Sequence, residues 1–375
     1  MRPVGRKIKV LNVSTTGSLL NIKLNTDQIN YLNIGLMVLS AGLAFAYPFE
    51  LFLFVYAVLG PLHYLTEISW LHDKNYYTKG KYDYVFLGAA SLVITVLFLG
   101  LNHYVPKSTS EILTYLAFVA SLLFILFNSS LARLGFLALA LVGGILFTQF
   151  SLFFGFFGLL LPTLIHVFVF TGFFILVGAL RGKSFSGILS LLVFVGIACG
   201  FIFIHPEHAQ YHASDYVRDN YGYLKDDGVG SNVFISMNLY LIKTLGIQNF
   251  GQPTQPFSEF FHRINGFIYG NPAALALMSF VAFAYTYHYF NWFSKTSIIR
   301  WHEVSRTRGI SILAIWVASL VLYAMNYSLG FKWLFFLSFA HVFLEFPLDH
   351  LTMITVVKET AKIFTTKYTK VGQKN

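Results

Sequence analysis

The chain has 375 residues, of which 56% are hydrophobic and only 11% are charged, and its mean hydropathy is +0.64. No ordinary soluble domain of this length is so apolar, so the composition excludes a soluble enzyme and indicates a polytopic membrane protein. The net charge of +10 does not indicate nucleic-acid binding, because the basic residues lie in short loops and tails between apolar runs. The single cysteine, Cys199, excludes an intramolecular disulfide.

Ten apolar runs are long enough to cross a membrane, for which a helix needs about 20 residues. They cover residues 30–47, 49–71, 84–102, 112–130, 134–151, 153–180, 185–204, 271–294, 309–328 and 332–357. The predicted fold is therefore all-α, with helices one to seven in residues 30–204 and helices eight to ten in residues 271–357.

The hydrophilic segments between and beside these runs complete the predicted organisation. Residues 1–29 lack the short apolar core and cleavage site of a signal peptide, so we expect a cytoplasmic tail. Residues 205–270 form the longest hydrophilic stretch, in which the moderately apolar segment 233–247 predicts a helix on the membrane surface. Residues 358–375 are a basic tail.

The distribution of lysine and arginine predicts the orientation of the helices. With ten spans and a cytoplasmic N-terminus, twenty of the 26 basic residues fall on the cytoplasmic side. The remaining six are Lys107, Arg218, Lys225, Lys243, Arg263 and Lys332. Because cytoplasmic loops carry the excess of basic residues, we expect both termini to be cytoplasmic and 205–270 to be extracytoplasmic. We expect the membrane to be the bacterial inner membrane.

Two predicted helices repeat the same polar arrangement. The trios are His63, Glu67 and His72 in GPLHYLTEISWLHD, and His341, Glu345 and His350 in FAHVFLEFPLDH. Ionisable groups inside a membrane span are costly, so such residues point to function. Positions i and i+4 share a helix face, so each leading histidine and its glutamate can face one metal ion. His72 and His350 fall on the opposite face.

His166 and His288 are predicted to lie near His63 and His341, because of the direction of their helices and their depth in the membrane. His63, His166, His288 and His341 lie on helices that run in the same direction. The first three lie about 20–25 Å from the outer ends of their helices, Glu345 is about as deep, and His341 is one turn shallower. Prolines close to three of them bend their helices and can open a cavity. Four imidazoles with Glu67 and Glu345 form a ligand set suited to non-haem iron or another borderline metal. A lone buried histidine more often hydrogen-bonds a neighbour, and this alternative applies to each of them.

A second histidine cluster, His205, His208 and His212, lies in the predicted outer loop. The spacing is compatible with zinc or copper if the loop folds the rings together. Solvated interfacial histidines are the alternative.

Four short segments carry a resemblance to a known family. GPLHYLTE, LLPTLIHVF, FAYTYHYFNW and FAHVFLEF resemble the histidine-bearing helices of the Brp/Blh family of membrane beta-carotene dioxygenases. The family motifs are approximately Pro-His-Gly-x-x-Asp, Ile-His-Phe-Gly, Ile-His-x-x-x-His and Pro-His-x-x-x-x-Asp. The resemblance implies His63, His166, His288 and His341 as iron contacts. This chain has Tyr64 in place of the glycine, and Trp292 where the family has a second histidine.

The sequence thus predicts an integral-membrane, metal-dependent oxidoreductase, a non-haem iron oxygenase that acts on a carotenoid, another isoprenoid or an acyl chain. In this interpretation the histidines bind iron and leave a position for dioxygen, while Glu67 and Glu345 are catalytic or orient the ligands. A proton- or cation-coupled transporter with an intramembrane His/Glu relay is a second hypothesis. A b-type haem held by two of the histidines, in an electron-transfer subunit, is a third.

The predicted orientation can be tested by labelling single cysteines in intact cells. A cysteine at Ser231 is expected to react with an impermeant maleimide, because that loop is predicted to be outside, whereas a cysteine at Ser305 is expected to stay unlabelled. Both variants require a Cys199→Ser background. The reverse labelling pattern would contradict the orientation.

Overall fold

The computed structural model describes residues 25–101, 104–106, 108–205, 211–224, 233–251 and 256–372. These residues contain thirteen helices and no strand. Helices α1 to α13 are Thr26–Ala46, Pro48–Asp73, Asp83–Gly100, Thr109–Leu126, Ser130–Phe147, Ser151–Gly182, Phe185–Ile204, Asp215–Tyr221, Val233–Thr244, Phe257–Gly270, Pro272–Ser294, Arg306–Met325 and Tyr327–Gly372. A 3₁₀ turn at Asn75–Tyr77 and a helical turn at Thr296–Ile299 lie in two of the connections.

Within the described residues, ten of these helices are long and apolar enough to cross a membrane. The all-α prediction is confirmed, and the protein has the helices of an integral membrane protein. The ten helices coincide with the ten predicted runs, but some ends differ. The break between α4 and α5 falls at Phe127–Ser129, several residues earlier than predicted, because the Ser129 hydroxyl accepts a hydrogen bond from the Ala132 amide and starts α5 there.

The last helix differs most from the prediction. It begins at Tyr327, before predicted residue 332, and continues to Gly372 through the segment predicted as a tail. Beyond the apolar part, Lys362 and Glu359 form an ion pair three residues apart, with a nitrogen–oxygen distance of 3.0 Å. Hydropathy locates the apolar part of such a helix, but charged residues with good helix propensity extend the helix further.

Helices α2, α11 and α13 form the centre of the bundle. Nearly every side chain of α11 is buried, and α11 packs on both α1 and α2. Peripheral helices α5 and α12 instead expose large apolar side chains, such as Leu131 on α5 and Ile310 on α12. Apolar side chains that face outward fit a helix bundle surrounded by lipid.

Helix α6 has an unusual winding. Its central part, Phe154–Phe170, is a π-helix that contains Pro162 and carries His166. A proline cannot donate to the preceding turn, and a wider turn is one way for the backbone to pass around it. The winding decides which side of α6 presents His166 to the bundle.

Helices α8, α9 and α10 pack over the end of the bundle where α2 begins, which we call the loop end. Phe49 of α2 lies against Tyr221 and Tyr269, and Phe52 lies against Phe234, with ring centroids 4.8–4.9 Å apart. The helix predicted at 233–247 is present as α9, and its apolar side is buried against the protein. Helices α8 and α10 were not predicted.

A largely buried ion pair joins three peripheral helices. Arg133 of α5 donates to the Asp83 carboxylate of α3 over 2.7 Å and to the Phe127 carbonyl, after the end of α4, over 2.9 Å. The two charged side chains are only 12% and 9% exposed. Removal of one partner leaves the other charge buried, which is costly.

Arg133→Ala is therefore expected to lower the free energy of unfolding by about 3 kcal/mol, measured by thermal unfolding in detergent. Arg308→Ala is the matched control, because its 2.7 Å pair with Asp73 is 36% and 44% exposed and should contribute at most about 1 kcal/mol. Equal losses in the two variants would contradict this difference.

Candidate metal centre

The structure brings the four predicted histidines together in the middle of the bundle. His63 of α2, His166 of α6, His288 of α11 and His341 of α13 are all buried. Their ring centroids lie 4.7 Å apart for His63–His288, 5.0 Å for His166–His341 and 5.5 Å for His63–His341. Four helices distant in sequence thus contribute one imidazole each to a single cluster, which we call the histidine cluster.

The ring nitrogens of the histidine cluster face one another in pairs. His63 Nε2 lies 3.0 Å from His288 Nε2, and His341 Nε2 lies 3.2 Å from His166 Nε2. Two ligands about 2.1 Å from one ion lie about 3.0 Å apart in adjacent octahedral positions and about 3.4 Å apart in a tetrahedron. The observed separations fall in this range.

Three of the four histidines lie close enough together to form a candidate site for one ion. Ligand nitrogens of His63, His166 and His341 all lie within 4.8 Å of one another. His288 stands beside this group: its Nε2 faces His63, and its Nδ1 lies 2.9 Å from the Thr171 hydroxyl. A hydrogen bond of this kind fixes the orientation of an imidazole.

Both predicted glutamates reach the histidine cluster. Glu67 Oε2 lies 3.0 Å from His63 Nε2, one helical turn away, and Glu345 Oε2 lies 3.4 Å from His166 Nδ1. His63 and Glu67 are each 1% exposed. Neither Oε2 atom makes an aligned hydrogen bond within the described part of the chain. The two carboxyl groups are also hydrogen-bonding neighbours of each other, so one cation could contact both.

A third carboxylate, Asp349, was missed by the sequence analysis. It lies one turn beyond Glu345 on α13, is 1% exposed, and forms a second group with His166 and Glu345 whose ligand atoms are within 4.8 Å of one another. The signal was present in the i, i+4, i+8 spacing of His341, Glu345 and Asp349, which places all three on one helix face.

Hydrogen bonds among the described residues do not pair all the buried polar atoms in and beside the histidine cluster. Paired imidazoles explain the Nε2 contacts, but six other buried atoms have no hydrogen-bond partner among the described residues. These are His63 Nδ1, Glu67 Oε2, His166 Nδ1, Glu345 Oε2, Asp349 Oδ1 and Asp349 Oδ2. Buried polar atoms are nearly always paired, and buried charges are paired or bind metals. The donor set of imidazoles and carboxylates fits a divalent transition-metal ion.

An aromatic cavity of about 260 Å³ reaches the histidine cluster from the loop end. His166 and His341 lie in its wall, and Tyr64 stacks on the His341 ring with a centroid distance of 4.1 Å. The remaining wall is mostly aromatic and aliphatic, with Phe98, Phe331, Phe335, Phe339, Tyr56 and Leu97 among its residues. This cavity suits an apolar molecule.

A second cavity, of about 220 Å³, reaches the cluster from the opposite end of the bundle. Its wall includes His63, His288, Glu67, Glu345 and Lys295. Lys295 follows the end of α11, and burial lowers the pKa of its ammonium group to about 8 because the charged form loses hydration. Carboxyl and ammonium side chains thus line the second cavity, whereas the described wall of the aromatic cavity has none.

The remaining predicted histidines lie apart from the cluster. His72 is exposed, with its Nδ1 3.3 Å from the Tyr76 hydroxyl. His350 is buried, and its Nε2 lies 2.9 Å from the Phe118 carbonyl oxygen. In the loop, His212 is exposed and His205 is partly buried, whereas His208 lies outside the described residues.

Comparisons of the chain with protein-family models, with curated proteins and with solved structures found no match.

Replacing His63, His166, His288 or His341 by alanine is expected to remove the ion at the histidine cluster, because each ring contacts another member of the set. The metal content of the purified protein should fall by at least about one ion per chain, as measured by elemental analysis. His72→Ala and His350→Ala are the matched controls and should retain the wild-type content. Metal retained by the cluster variants, or lost from the controls, would contradict this assignment.

Proposed function

We propose that the protein is an integral-membrane, non-haem iron oxygenase that acts on a lipophilic substrate. The observation that carries the proposal is the buried set of three imidazoles and adjacent carboxylates in contact with an aromatic cavity. Iron bound there would supply the activation of dioxygen, as it does in other sites built from histidine and carboxylate with open positions.

The protein's own residues would prepare such a site in three ways. Glu67 and Glu345, as the proposed catalytic residues, lie close enough to His63 and His166 to orient their rings or to bind the ion directly. Thr171 holds His288 in position. The surrounding apolar bundle excludes bulk water, which protects reactive species from side reactions.

The aromatic and aliphatic lining of the cavity supports a carotenoid, another isoprenoid or an acyl chain as substrate. Phe98 lines the cavity and is 37% exposed, and its neighbour Leu99 is 56% exposed. The cavity therefore borders the lipid-facing side of the bundle, and we propose that the substrate enters sideways from the bilayer. The resemblance of the four histidine segments to the Brp/Blh dioxygenases supports the same substrate class.

The proposed setting is the inner membrane of a bacterium, with both termini in the cytoplasm. The excess of basic residues on one side supports this orientation. The aromatic cavity would then occupy the extracytoplasmic half of the bundle, and the cavity with Lys295 the cytoplasmic half.

A transporter is the second candidate function, because cavities reach the His/Glu cluster from both ends of the bundle. A proton or cation pathway needs such access from two sides.

The geometry is less favourable to a haem, whose two axial nitrogens lie about 4 Å apart across the iron. The facing nitrogens here are 3.0 and 3.2 Å apart.

Metal analysis combined with an absorption spectrum of the purified protein separates these functions. Bound iron without a Soret band is the expected result, together with oxygen consumption when lipophilic substrates are added. A Soret band would favour haem, and protein without bound metal would favour transport.

Leu97→Trp is expected to reduce substrate-dependent oxygen consumption at least about tenfold, since a larger side chain fills part of the cavity, while the iron content stays unchanged. Leu97 is buried in the cavity wall. Leu134→Trp on α5 is the matched control, because Leu134 is 64% exposed on the outer surface. Full activity in Leu97→Trp would contradict the assignment of the substrate cavity.

A further inference from the structure

Asp349, Glu345 and His166 form a second potential ligand set beside the histidine cluster. All three side chains are buried, and their ligand atoms lie within 4.8 Å of one another. Both carboxylate oxygens of Asp349 lack a hydrogen-bond partner among the described residues. An isolated carboxylate in such an environment is strongly destabilising unless a cation or a proton neutralises it.

The two nitrogens of His166 face different groups. Nε2 lies 3.2 Å from His341 Nε2, in the histidine cluster, and Nδ1 lies 3.4 Å from Glu345 Oε2, in the carboxylate set. His166 is the member that the two groups share. An imidazole with ligands on both sides can bind two ions, one through each nitrogen.

One ion is not enough to engage both groups. Ligands about 2.1 Å from an ion lie at most about 4.2 Å apart, even in opposite positions. Asp349 belongs to the group around His166 and Glu345, and the group that contains His63 and His341 does not include it. An ion among the three histidines therefore leaves Asp349 without a partner.

The buried carboxyl groups also favour cation binding. Glu67 and Glu345 each lie beside a histidine of the cluster, and Asp349 lies with Glu345 and His166. Uptake of the second ion would release the last ring proton of His166 to solvent, as ligand deprotonation generally accompanies metal binding.

We propose that His166, Glu345 and Asp349 hold a second divalent cation and that His166 bridges it to the ion of the histidine cluster. The inference rests on the proposed function only in taking that cluster as the first metal site. Each ion would bind one ring nitrogen of His166, which places the two ions about 6 Å apart.

The test is equilibrium dialysis of the chelator-stripped full-length protein against Co²⁺, with the bound metal counted per chain. Wild type is expected to bind two ions, Asp349→Asn one, His63→Ala one, and the double variant none. His166→Ala should lose both ions, because it is the shared ligand. Glu111→Gln is the matched control and should bind two, since Glu111 is also a buried carboxylate with an unpaired oxygen but belongs to neither group.

The outcomes separate this inference from the proposed function. Binding of one ion by wild type, or of two by Asp349→Asn, would overturn the second site and leave the iron oxygenase proposal standing. Binding of none by wild type would remove the metal basis of both.

A measurement on the wild-type protein alone covers the case in which Asp349→Asn does not fold. Anomalous scattering from Co²⁺-loaded crystals is expected to show two peaks about 6 Å apart. A single peak at the histidine cluster would overturn the second site.

Discussion

The structure depends on one electrostatic constraint, the burial of four imidazoles and three carboxylates at the centre of an apolar helix bundle. Unpaired ionisable groups in such a setting are destabilising by several kcal/mol each. The nearest side chains relieve only part of this, since Glu67, Glu345 and Asp349 keep unpaired oxygens among the described residues. A cation bound between these groups would turn the largest destabilising term of the bundle into a contact that joins α2, α6 and α13.

The helices that carry the histidines are shaped by local features of the sequence. Pro61 and Pro347 lie inside α2 and α13, and Pro162 lies inside the π-helical part of α6. Each proline removes a backbone hydrogen bond close to a cluster residue. Around Pro162 the altered winding sets the direction in which His166 projects, and the aromatic cavity opens beside it. Pro162 thus both interrupts the regular winding of α6 and lines the aromatic cavity.

Much of this architecture could be predicted from the sequence, because hydropathy and helical spacing are local properties. The ten spans follow from the apolar runs, and the meeting of His63 with His341 follows from their similar depth. Asp349 was not predicted, because it lies two turns beyond His341 and the repeated His-x-x-x-Glu spacing does not include it. The π-helical winding of α6 and the packing of α8 over Phe49 depend on contacts between distant segments, which no local pattern contains.

The types of ligand at the histidine cluster favour an ion that stays bound over one that is transported. A transported cation must bind weakly enough to leave, so transport sites generally offer ligands that exchange readily. Imidazoles combined with carboxylates bind divalent transition metals strongly, and here His63, His166 and His341 approach one another from three different helices. The two cavities border this centre on different sides: an aromatic wall meets His166 and His341, and a wall with Glu67, Glu345 and Lys295 meets His63 and His288.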